Sequence, residues 1–133
     1  MFEDFSFKKL VLYIVLLAGA YHYVRTHYHR PDVMRYSATL ADHDMRARVR
    51  YYVGLSYFMQ SQYEPAIDAF NTLLTDDPTC QYEAKALLHL GESNIEMRRF
   101  ADARTAYEKY MQDFPHGADL EVVQTQYEFI KFK

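Results

Sequence analysis

From Leu10 to Val24 the chain reads LVLYIVLLAGAYHYV, fifteen positions without a charge. At the helical rise that run is about 22 Å long, short of the roughly 30 Å of a bilayer's hydrocarbon. Phe2, Phe5 and Phe7 extend its apolar character upstream, Lys8 and Lys9 can snorkel, and Tyr21, Tyr23 and Tyr28 form an aromatic belt downstream. The pattern predicts one membrane-spanning helix over residues 7–24. Further on, the hydrophobic pattern becomes periodic, and the chain repeats itself at an offset of 37: Gly54 with Gly91, Ala66 with Ala103, Phe70 with Tyr107, Pro78 with Pro115. The flanking words VGLSYFMQSQYEPAIDAF and LGESNIEMRRFADARTAY agree as well.

Each repeated position has a physical reading. A glycine lets a second helix come close because no Cβ stands in the way. Ala66 and Ala103 are small enough to face that contact from the partner helix, while Phe70 and Tyr107 fill the seam between consecutive pairs. Pro78 and Pro115 end the second helix, and Pro65 sits at a helix start, where its missing N–H costs nothing. Each copy is therefore expected to be a helix, a tight turn and an antiparallel helix. Leu120, Val123, Tyr127 and Ile130 continue at helical spacing, but Glu128 stands where a third copy would need glycine. Residues 118–133 are thus expected to form a capping helix, of the kind terminal repeats need for solubility.

Composition agrees with an all-α chain. Four Gly and four Pro among 133 residues give little punctuation for an all-β fold. Cys80 is the sole cysteine, which excludes an internal disulfide framework, a Cys-rich zinc site and a CxxCH haem attachment. The net charge of −3 hides an asymmetry. Residues 25–50 carry six Arg against three Asp, and residues 51–133 carry seven Lys/Arg against thirteen Asp/Glu. A basic collar beside an apolar segment suits lipid headgroups; an acidic folded unit is the opposite of a nucleic-acid binder's footprint.

The repeat resembles the tetratricopeptide repeat family, whose unit is a 34-residue helical hairpin. The resemblance covers residues 47–117 as two units, 47–80 and 84–117, with Cys80, Gln81 and Tyr82 as an insertion between them. Such an insertion after a D-D-P or D-F-P ending is similar to the repeats of bacterial envelope proteins. Three positions depart from the pattern. The early aromatic is Arg50 or Leu87, the Tyr three residues after Gly is kept as Tyr57 but becomes Asn94, and the late small residue is Leu73 or Tyr110. The resemblance implies a concave surface lined by the first helix of each hairpin. Arg48, Tyr51, Leu55, Phe58 and Met59 of the first unit would line it, with Lys85, Leu88, Glu92, Ile95 and Glu96 of the second as candidate partner-binding residues.

Catalytic signatures are lacking: the chain has no phosphate-binding glycine loop, HExxH, GxSxG or kinase motif. His22, His27 and His29 cluster past the apolar run, but His22 and His29 would lie about 10 Å apart on a helix, too far for one metal. Their expected place is at the headgroups, and His43, His89 and His116 are expected in surface or packing roles. No catalytic residue, cofactor or metal is assigned, and neither nucleic acid nor a small-molecule substrate is expected.

The organisation expected is a membrane anchor with its flank (1–30), a linker or short helix (31–46), the repeats and the cap. The function expected is a membrane-anchored scaffold binding other proteins, as an accessory or assembly subunit of a larger membrane complex. The place expected is a bacterial inner membrane with the repeats periplasmic, although lysine and arginine counts flanking the span leave the orientation open. Two alternatives stand. One is a redox or metal-binding subunit using the histidine cluster. The other is a secreted soluble repeat protein, since Lys8-Lys9, the apolar run and Ala18-Gly19-Ala20 also fit a signal peptide cleaved before Tyr21. Glu3 and Asp4 in the n-region favour the uncleaved anchor.

Overall fold

The structure, a computed structural model, describes residues 2–27 and 29–133, with side chains from Phe7 onward. The aromatic flank expected at Phe2, Phe5 and Tyr28 lies outside the described side chains. The described residues form seven helices and no strand. They divide into two compact units, one ending at Val33 and the other Met34–Lys133.

The first unit is dominated by α1 (Phe2–His27). Its stretch Phe7–His27, 21 residues with mean hydropathy 1.3, is long and apolar enough to cross a membrane, and none of it is buried. The span is longer than the uncharged run because Lys8, Lys9 and Arg25 are helical too. At 1.5 Å per residue it reaches about 31 Å. A membrane span and an N-terminal signal sequence share this signature. Pro31 then lies in the first turn of α2 (Arg30–Ser37), where it opens a helix.

In the second unit, α3 (His43–Met59) and α4 (Tyr63–Asp76) form one antiparallel hairpin, and α5 (Glu83–Glu96) and α6 (Phe100–Asp113) form the next. α4 packs on α5, and α7 (Leu120–Ile130) packs on α6. Asp42 caps α3: its Oδ1 accepts from the backbone N–H of Asp44 at 3.0 Å and of Met45 at 3.4 Å.

The close approach at the repeated glycines is made by a ring. A Cβ on Gly54 would stand 2.7 Å from Cε1 of Phe70, and one on Gly91 would stand 2.5 Å from Cζ of Tyr107. Phe70 and Tyr107 thus lie across the glycine of their own hairpin, and each is fully buried. The repeated aromatic was expected in the seam between pairs and the alanine against the glycine. The ring makes the nearest contact to the glycine and also reaches into the seam, the Phe70 centroid lying 6.0 Å from that of His89 of α5 and Tyr107 bonding Gln126 of α7. Ala66 and Ala103 are also fully buried, while Pro78 and Pro115 lie just past the ends of α4 and α6, exposed.

The turns within the hairpins are equivalent in detail. Ser61 and Arg98, again 37 apart, both have φ of 57°. The N–H of Gln62 donates to Tyr57 O at 2.9 Å and that of Ser61 to Phe58 O at 2.9 Å. In the second copy Arg99 donates to Asn94 O at 2.8 Å and Arg98 to Ile95 O at 2.9 Å. Both are Schellman closures made without glycine. A left-handed L-residue costs about 1–2 kcal/mol, of which glycine's greater unfolded freedom returns about 0.4–1 kcal/mol. Arg98→Gly is therefore expected to stabilise the domain by up to about 1 kcal/mol, read as a higher thermal midpoint.

The departures from the repeat pattern are each put to use. Arg50, 3% exposed, donates Nη1 to Asp76 Oδ2 at 2.5 Å and Nε to Ser37 Oγ at 3.1 Å. Asn94 turns its amide back to Leu90 O at 2.9 Å. Tyr110 is fully buried, and its hydroxyl accepts the Asp119 N–H at 3.1 Å, which holds the chain at the start of α7. Val123 and Ile130 of α7 are buried with Leu87, Leu88, Ala103 and Tyr107, so α7 covers the apolar end of the second hairpin.

Candidate functional site

The first helices of the two hairpins, α3 and α5, bring their C-terminal turns to one open cleft of about 490 Å³. Phe58 of α3, Tyr63 at the start of α4, and Glu92, Ile95 and Glu96 of α5 line one side. Thr125, Gln126 and Phe129 of α7 line the other. The capping helix is thus also a wall. The Tyr107 hydroxyl, reaching across from α6, donates to Gln126 Oε1 and fixes that wall against the second repeat.

His89 packs beside this cleft among aromatic rings, with centroids at 4.8 Å from Phe58 and 6.0 Å from Phe70. Its Nδ1 lies 2.9 Å from Glu92 Oε2. Burial, with Glu92 nearby, pushes the Tyr107 hydroxyl well above the usual phenol range. Glu96 is exposed and has no ion pair among the described residues.

Of the ten residues expected on the concave surface, the cleft gathers Phe58, Glu92, Ile95 and Glu96. Tyr51 is only 8% exposed, because Tyr82 stacks on it with ring centroids 4.8 Å apart. Tyr82 belongs to the insertion between the repeats, and Arg48 Nε donates to its hydroxyl at 3.2 Å. The insertion therefore covers the surface that Tyr51 would otherwise present. Leu88 is buried in the core, and Leu55 is half-buried. Lys85 is held by Asp119 at 2.7 Å, which raises its pKa through that hydrogen bond. Met59, 76% exposed, is not among the cleft's lining residues.

Sequence reasoning missed Tyr63, Thr125, Gln126 and Phe129. Phe129 had a visible signal: it is aromatic, yet falls outside the Leu120, Val123, Tyr127 and Ile130 stripe, so it had to face away from the core. It is 66% exposed.

Elsewhere, Asp77, buried before Pro78, receives Arg46 through Nε at 3.0 Å and Nη2 at 2.6 Å. Arg50 approaches it at 3.7 Å and His43 Nδ1 at 3.1 Å. The Arg46 hydrogen bond holds the Asp77 carboxyl below the usual carboxylate range. Cys80 borders this cluster, and burial pushes its thiol up, away from the reactive thiolate. His27 stacks on Tyr23 at 4.2 Å. No group of three His, Cys, Asp or Glu among the described residues is arranged to hold a metal ion. A second groove, between α4 and α6, is lined by residues including Asp68, Asn71, Asp102 and Lys109.

A family model described as "Tetratricopeptide repeat" matches residues 48–79 and 85–117. No curated protein matches the chain.

Proposed function

Because residues 48–117 are a pair of tetratricopeptide repeats, we propose that this chain is a membrane-anchored, non-enzymatic scaffold that seats a segment of another protein in the α3–α5–α7 cleft. Repeats of this family generally mediate protein interactions. The observation that carries the proposal is the cleft itself: open, mostly apolar, and built by the helices the repeat places on its inner face. Phe58, Ile95 and Phe129 are its apolar contacts, and Glu92 and Glu96 set its charge. Candidate contacts on either side are Arg48, Tyr51, Leu55, Met59, Lys85 and Leu88, with Tyr51 and Leu88 acting from beneath the surface.

The span Phe7–His27 supplies the anchor, and the collar of Arg25, Arg30 and Arg35 lies beside the headgroups. A shared membrane raises the effective concentration of a partner, so a short two-repeat cleft suffices for a stable complex. These features suit an accessory or assembly subunit of a membrane complex, in a bacterial inner membrane with the repeats on the periplasmic side.

The test is co-purification from detergent-solubilised membranes. Ile95→Arg places a long cation at the centre of the cleft; it is expected to lose the partner while staying folded, with a thermal midpoint lowered because Ile95 also packs against the core. Asp68→Arg, in the groove between α4 and α6, should keep both the partner and the midpoint. Retention of every partner by Ile95→Arg would remove the cleft from the interaction. The signature that α1 shares with a signal sequence supports one second reading, a soluble secreted repeat protein. The intact mass of the membrane-extracted chain separates the two, since cleavage before Tyr21 would remove the span.

A further inference from the structure

We propose that the cleft selects a cationic segment, one presenting lysine or arginine beside an aliphatic or aromatic anchor. The inference rests on the cleft being a protein-binding site and adds the chemistry of what it binds.

Three observations carry it. First, the two charged residues among those lining the cleft are carboxylates, Glu92 and Glu96, one helical turn apart on α5. At 3.6 residues per turn both lie on the same side of Ile95, so an apolar anchor seated on Ile95 and Phe58 has acid along one edge. Second, both carboxylates stand near the C-terminal end of α5, where the backbone carbonyls already concentrate negative charge. No basic residue occupies the last turn of α5 or of α3, which end at the same cleft. Within those turns the field is uncompensated; the first cations, Arg98 and Arg99, come only past the C-cap of α5. Third, none of the nearby cations pairs with Glu96, although Lys133 rests on the cleft's own Phe129 and Arg98 follows α5 without an ion pair among the described residues. Arg99 donates to Glu64 at 2.7 Å. Lys133 Nζ is held at 3.9 Å from the Phe129 ring centroid and 5.7 Å from that of Phe100. Glu92 has His89 as its neighbour, while Glu96 has no ion pair among the described residues.

An acidic segment would meet two carboxylates and two helix C-termini. A neutral apolar segment would leave Glu96 half-desolvated without a partner and Glu92 with His89 alone. A segment with cations beside a Leu or Phe satisfies the lining and the charge together.

The experiment uses the full chain in lipid nanodiscs and three fluorescent decapeptides sharing a central Leu-Phe-Leu, flanked by Arg, Gln or Glu. The Arg peptide is expected to bind about tenfold tighter than the Gln peptide, as two partly exposed ion pairs allow. The Glu peptide should bind weakest. Glu92→Gln with Glu96→Gln should bring the Arg peptide down to the Gln peptide's affinity, and raising salt from about 0.05 M to about 0.5 M should narrow the gap. A Glu peptide binding as tightly as the Arg peptide, or an Arg peptide that does not bind, overturns the proposal. Equal binding of all three, weakened for all by Phe129→Ala, overturns the cation preference and leaves the cleft as a binding site. No binding by any peptide, with partners kept by Ile95→Arg, removes the cleft reading itself.

Discussion

Asp77→Ala is expected to destabilise the repeat domain by about 3–5 kcal/mol, the usual cost of breaking a buried ion pair by removing one partner. The side chain of Asp77 is 3% exposed and that of Arg50 4% exposed, so the loss leaves Arg50 buried with the more open Asp76 as its remaining carboxylate. Arg46 loses both arms of a two-point contact. The same residue gives stability a signature at low pH. Its folded carboxyl is held below the usual range, chiefly by Arg46. The contribution is thus fully present above the unfolded value of about 3.9 and is lost as pH falls through the depressed folded value. Glu83 runs the other way, since burial raises its pKa and protonation relieves a cost. Asp77→Asn isolates the acid limb: chemical denaturation from neutral pH to below pH 4 should show the difference between wild type and variant shrinking as Asp77 protonates.

The second large effect belongs to the glycine–ring contact. Gly91→Leu is expected to cost about 2–3 kcal/mol by overpacking, because even a Cβ would meet the buried Tyr107 ring. Tyr107 cannot swing aside freely: it is fully buried and tied to Gln126. Gly91→Ala gains about 1 kcal/mol of helix propensity, so its net loss should be smaller and understate the clash. Gly54→Leu should behave alike against Phe70. Trimming the ring in the Gly91→Leu background, as Tyr107→Leu, should cost less than the two changes summed, since the sites share one space. Strict additivity in equilibrium unfolding would mean that ring and glycine do not meet.

The hairpins were legible because a glycine, a small residue, an aromatic and a proline recur at one spacing, and each answers a local steric demand. What faced what was less legible. Sequence spacing places Ala66 and Phe70 on one face of α4, but which of them reaches Gly54 depends on how far the helices stand apart. The hairpin turns left no glycine to read, because Ser61 and Arg98 hold the left-handed position themselves. The cleft was half legible. Phe58, Glu92, Ile95 and Glu96 follow from helix periodicity, whereas α7's wall depends on its packing angle against α6, which no pattern encodes. Tyr82 lay in an insertion and reads as loop, yet it buries Tyr51 and moves the open surface towards the C-terminal turns of α3 and α5.

The most direct measurement is site-specific photocrosslinking in native membranes, with a benzophenone side chain at position 95 in one preparation and at position 68 in another. The account predicts a discrete protein adduct from position 95, recovered with the membrane fraction, and none from position 68. An adduct from position 68 with none from position 95 would contradict it.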